Sequence, residues 1–127
     1  MTISNFAEDA ILNAVGGTAF SVSTPYLKLH TGDPGETGVA NPAGENTLKS
    51  CSFASASGGS MGLSGTVSWT NVSTSETLTH WSLWNGNTVD GSGEPTDDCV
   101  WTGSFNSSST VTAGDTFTIT TLTLTLD

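Results

Sequence analysis

Basic residues are almost absent from this 127-residue sequence: arginine is missing, and Lys28 and Lys49 stand against 12 Asp plus Glu, for a formal net charge of −10. Binding to a phosphate backbone works through clustered Lys and Arg that displace counterions, so nucleic acid is excluded as a partner. The same acidity favours solubility and repels anionic membranes, but it identifies no partner. No apolar run approaches the ~18 residues that cross a bilayer, and the N-terminus lacks the basic region of a secretory signal. Neither membrane association nor export is therefore expected. Cysteine is scarce too: Cys51 and Cys99 are the only two, far from Cys-x-x-Cys spacing, which argues against a zinc site.

What the chain has instead is hydroxyl: 18 Ser and 22 Thr, with 15 Gly, and only 11% charged residues. That composition disfavours coiled coils and long exposed helices, which draw on Ala, Glu, Lys, Leu and Arg. It suits strands and tight turns, because Thr fits a pleated, half-buried surface and Gly and Ser punctuate turns. At 13.0 kDa the chain matches one compact core. The expectation is a mainly β fold, an antiparallel β-sandwich or jelly roll, with one short N-terminal α-helix in residues 1–17 and the sandwich in 18–127.

The helix has a start and a stop. Ser4 is a good N-cap, Glu8 and Asp9 sit where the helix dipole favours negative charge, and Gly16 and Gly17 end it. Ile3, Ala7, Ile11 and Val15 recur every four residues, an apolar side that must dock on the domain or on a neighbouring subunit. From residue 18 onward the period is two. Residues 26–31 set Leu27 and Leu29 against an outward basic side of Lys28 and His30, and a Gly- and Pro-rich loop, residues 32–46, follows. A connection that long in a small domain often carries contacts. Met61, Leu63, Val67 and Trp69 keep odd spacing, and Trp81 and Leu83 oppose His80, Ser82 and Trp84. Cys99, Trp101 and Phe105 align, and Val111 to Phe117 reads as a hairpin. The phase change between Ile119 and Leu122 predicts a bulge or a crossing between sheets near Thr120 and Thr121.

Groups that could do chemistry do not converge along the sequence. His30 and His80 lie inside strand alternations and read as sheet residues rather than general bases. Gly58-Gly59-Ser60-Met61-Gly62 matches a nucleophile elbow in letters only, since that motif needs a strand before it and a helix after. Asp90, Glu94, Asp97 and Asp98 crowd one polar loop without the twelve-residue calcium pattern. No metal, no cofactor and no enzymatic activity are expected. Cys51 and Cys99 both fall on the inward phase and could meet in the core. A disulfide closing so long a loop would add about 4 kcal/mol, but without an export signal two buried thiols are favoured. Trp81 and Trp84, three apart, point to opposite faces, so one is core and the other is expected at the surface or in a subunit contact.

Three motifs carry a resemblance. Leu29-His30-Thr31-Gly32-Asp33-Pro34-Gly35, running on to Ala40-Asn41-Pro42-Ala43, is one. Val67-Ser68-Trp69-Thr70-Asn71-Val72 with Thr79-His80-Trp81-Ser82-Leu83-Trp84 is the second, and Val111-Thr112-Ala113-Gly114-Asp115-Thr116-Phe117 the third. With the N-terminal helix and the Leu-Thr-Leu-Asp ending, they make the chain resemble a family of small virion proteins of tailed bacteriophages, variously labelled tail fibre or head decoration proteins. It departs from that family in the acidic loop between Asn85 and Asp98. The resemblance implies a virion component assembled in the host cytoplasm. The leading expectation is a capsid decoration or cement protein that binds the major capsid protein as a homotrimer. The alternative is a tail fibre module recognising host glycans. Contacts are expected from Ile3, Phe6, Ile11, Asp33, Pro34, Pro42, Trp81 and Trp84.

Overall fold

A computed structural model describes residues 1–126; Asp127, the last residue of the Leu-Thr-Leu-Asp ending, lies outside the described residues. Ser4 starts the helix as expected, its hydroxyl accepting from the Ala7 amide at 3.2 Å, and α1 runs over Asn5–Val15. Its end is a Schellman closure: the Gly17 amide donates to Ala14 and the Thr18 amide to Asn13, with Gly17 at φ +102°. Ile3 is not helical. It belongs to a two-residue strand, β1 (Thr2–Ile3), and pairs with Trp101.

The main sheet is antiparallel. It contains β1, β2 (Pro25–His30), β3 (Lys49–Ser50), β6 (Glu76–Asn85) and β7 (Cys99–Val111), in the order β1-β7-β6-β2-β3. Two strand pairs lie beside it, β4 (Ser60–Gly62) with β9 (Thr123–Thr125) and β5 (Val67–Trp69) with β8 (Phe117–Ile119). Leu27, Leu29, Trp81, Leu83 and Trp101 on the sheet share one core cluster with Val67, Trp69, Ile119 and Leu124 on the pairs and Leu122 between them. The mainly β, antiparallel architecture with one short N-terminal helix is thus as expected. So is the phase change: Ile119 pairs with Val67 while Thr123 pairs with Gly62, so the chain crosses from one pair to the other between them.

Three local expectations fail, each for a physical reason. Residues 111–117 are not a hairpin, because β7 pairs with β6 while β8 pairs with β5. The Gly114 turn, closed by the Asp115 carboxylate on the Thr112 amide at 2.9 Å, carries the chain between layers. Cys99 and Trp101 do not share a face. Cys99 lies opposite Trp84 and Trp101 opposite Leu83, so Val100 is the extra residue of a bulge that shifts the phase of β7. Finally, Lys28 and His30 do not face water. Both are buried, because the loop of residues 32–46 folds back over that side of the sheet and its Pro42 bridges to His30.

Candidate functional site

The covered second face is built around one polar chain. The Trp84 indole N–H donates to Ser82 Oγ at 2.7 Å, and Ser82 Oγ lies 2.7 Å from His30 Nε2. His30 Nδ1 lies 2.9 Å from the Ala40 carbonyl. A carbonyl can only accept, so Nδ1 carries the proton, Nε2 is the acceptor, and Ser82 must donate to it. Every group is satisfied in one direction only, which fixes the loop on the sheet. Burial, helped by repulsion from Lys28 and His80, drives His30 down to about 4 against the opposing carbonyl of Ala40, so the ring is neutral at pH 7. Ser82 and His30 resemble a nucleophile and its base, but both are fully buried and no carboxylate orients the imidazole.

Two carboxylates hold the far end of the same loop. Glu76 accepts the amides of Gly44 at 2.7 Å and Glu45 at 3.0 Å, and Glu45 in turn accepts the Ser73 amide at 2.9 Å. Burial works against the Glu45 charge, yet bonds from Thr47 and Ser73 win and hold it below the ordinary carboxylate range. Two carboxylates of the 86–98 loop are likewise spent on backbone: Asp90 accepts from Ser92 and Glu94, and Asp97 from Thr88. Among the described residues no three His, Cys, Asp or Glu side chains converge as metal ligands would.

A different chemistry appears along the seam between α1, β1 and β9. Leu12 is 68% exposed, and Met1 and Leu126 are also uncovered. Beneath them is an apolar cavity of about 570 Å³, walled by Ile11, Phe53, Met61, Trp101 and Leu124 among others. Trp101 is buried, yet its Nε1–H is a donor without a hydrogen-bond partner among the described residues. Buried donors are paired in the great majority of cases, so an orphan at an apolar opening needs an explanation.

The structure disperses the expected contact residues. Ile3 and Ile11 are half-buried at the seam, while Phe6 is exposed and stacks edge-on against Phe20 at 6.1 Å. Asp33 is exposed and accepts the Gly35 amide, Pro42 is exposed, but Pro34 is buried. Trp81 and Trp84 do lie on opposite faces, and both are buried, because each face of the sheet is covered. Neither is available at the surface. Reading the sequence passes over Leu12, Met1 and Leu126; a leucine off the apolar stripe of α1 was the one available signal.

The cysteines do not meet. Cys51 lines the cavity under α1, on the core side, and its neighbour Ser50 pairs with Tyr26; Cys99 sits on the other face against Gly38 and Trp84. Three strand spacings, roughly 14 Å, separate β3 from β7, about twice the reach of a disulfide. Burial pushes both thiols up to about 12, so they are unreactive at neutral pH. Alkylation of the denatured chain without reductant should therefore add two groups per chain by mass spectrometry. An unmodified chain would mean a disulfide and a different pairing of strands.

One protein family, the podophage GP4 fiber I protein gp80, has a profile that matches residues 2–127. The chain belongs to this family. It is accordingly a bacteriophage virion structural protein, a member of a fibre family, and the match favours the fibre alternative over capsid decoration. No curated protein matches the chain. For a fibre-family protein, the two regions just described divide naturally: a sealed polar face that fixes loops, and an unsealed apolar seam.

Proposed function

We propose that this gp80-family chain is a fibre module of the phage virion whose copies associate through the seam beside α1, and that it acts by binding rather than by catalysis. The observation that carries the reading is the uncovered apolar seam. Single exposed apolar side chains are ordinary, but here Met1, Leu12 and Leu126 adjoin one another around an opening floored by the buried Trp101. Charge selects the occupant. With a net charge of −10 and one of two lysines buried, two copies repel over most of their surface. At the seam the opening is lined by Met1, Ile3, Ile11, Leu12 and Leu126, and among the described residues Glu8 is its one carboxylate. A second copy supplies apolar side chains for the groove.

Light scattering on the purified chain should give a mass that is a multiple of 13.0 kDa, with three copies as the state implied by the phage resemblance. Leu12→Glu should return it to a folded monomer by circular dichroism, with a melting temperature that no longer depends on concentration, because the side chain is solvent-exposed in one copy. A wild-type monomer at every concentration would overturn the self-association. Antibody-gold labelling of virions should decorate the tail; gold on the capsid shell would return the protein to a decoration role.

A further inference from the structure

The second face contains a lysine that the covering loop buries without satisfying its charge. Lys28 is 2% exposed, in the middle of β2. An ammonium has three donors, and among the described residues Lys28 Nζ makes one long bond, 3.4 Å to the Asn46 carbonyl. Glu45 and Glu94 are close enough to favour its charge against the burial that lowers its pKa, but neither carboxylate hydrogen-bonds it. Burying an ammonium so poorly satisfied is costly unless something else answers the remaining donors.

Lys28 also lines a cavity of about 310 Å³ between the two long loops, with Val39, Pro42 and Asn46 from one and Glu94 and Pro95 from the other. The loops close on each other where the Asn46 amide packs against Gly93, a left-handed glycine at φ +81° where a Cβ would displace that amide. The cavity thus offers a donor in Lys28, an amide in Asn46, a carboxylate acceptor in Glu94, and apolar walls from Val39 and two prolines. Its volume is at the small end for ligand sites, room for one ring.

We infer that the Lys28 cavity binds one neutral sugar ring, as a unit of a host-surface polysaccharide. An anion would have to enter a chain of net charge −10 and approach Glu94, while a cation would meet the buried ammonium. An uncharged ring whose hydroxyls both accept and donate, and whose C–H faces suit Pro42 and Pro95, satisfies all three constraints. The polysaccharide source rests on the fibre reading; the pocket chemistry does not. Tail location and sugar binding can therefore fail independently.

The test is ¹⁵N NMR titration of the full chain with D-glucose, D-galactose, D-mannose and L-rhamnose, beside D-glucuronate and D-glucosamine as charged probes. At least one neutral sugar should shift the amides of Asn46, Gly93 and Glu94. Glu94→Gln, at an exposed position, and Lys28→Met, which keeps the apolar stem, should each weaken that binding at least about tenfold, the loss of a hydrogen bond to a charged group. Glu94→Gln, on an exposed side chain and with Glu45 still beside Lys28, should leave the chain folded by its ¹⁵N spectrum, so its result stands even if Lys28→Met unfolds. No shift with any neutral sugar, shifts confined to other residues, or tighter binding of glucuronate or glucosamine would each overturn the assignment.

Discussion

Trp84→Ala is expected to destabilise the chain by about 3–5 kcal/mol, the range for emptying a large aromatic site in a core. The indole is 2% exposed, lies in register between Tyr26 and Cys99, and packs so closely on Gly38 that a Cβ there would fall 2.8 Å from its Cζ2. Its N–H also fixes the direction of the Ser82 hydroxyl, and hence the bond to His30. Removing it opens a cavity beneath the 32–46 loop and releases the chain of bonds that holds the loop down. Small domains are stable by only about 5–15 kcal/mol, so a large part of the margin goes. Trp84→Phe should cost clearly less, since it keeps most of the packing. Urea unfolding followed by circular dichroism measures both. An unchanged midpoint for Trp84→Ala would restore the tryptophan to the surface, where a subunit contact was expected.

That contrast shows what alternation in a sequence can and cannot say. Assigning Trp81 and Leu83 to one face, and Ser82 and Trp84 to the other, needs only the two-residue period, and the register agrees. Whether the second face meets water is a different matter, because it depends on where a loop goes after it leaves the strand. Polar Lys28, His30 and Ser82 look like a solvent side, and the 32–46 loop covers them. The same gap explains the turn at Gly114: turn residues say where the chain reverses, whereas pairing is decided by which neighbours complete the layers. The helix limits were legible because Ser4 and Gly16–Gly17 act through backbone atoms within a few residues. The bulge at Val100 carries no local mark, and missing it put Cys99 and Trp101 on one face. The seam depends on where Met1 and Leu126 come to lie against α1, a matter of residues far apart in sequence, so only Ile3, Ile11 and the off-stripe Leu12 point to it.

Stability should fall by about 3 kcal/mol as pH is lowered from 7 toward 4, with His30 as the main cause. In the folded chain the ring titrates at about 4, against 6.5 when exposed. Between those values the unfolded chain binds a proton that the folded chain refuses, so the free energy of unfolding rises with pH across this window. The contribution is whole above 6.5, declines as pH drops through the window, and changes no further below 4. Protonating Nε2 would also turn the acceptor of the Ser82 hydroxyl into a second donor aimed at it. Glu45 acts in the same sense but lower: its depressed folded value makes its share present above the ordinary carboxylate range and lost as pH falls through the folded one. The two are separable by position on the pH axis. His30→Gln removes the titrating ring, so its urea midpoint should lie below wild type at pH 7 but stay nearly flat down to about pH 5, where the wild-type curve is already falling. Parallel curves for the two proteins over that interval would show that the imidazole is not the proton-linked group, and that the loop is held to the sheet by something other than the Trp84–Ser82–His30 chain.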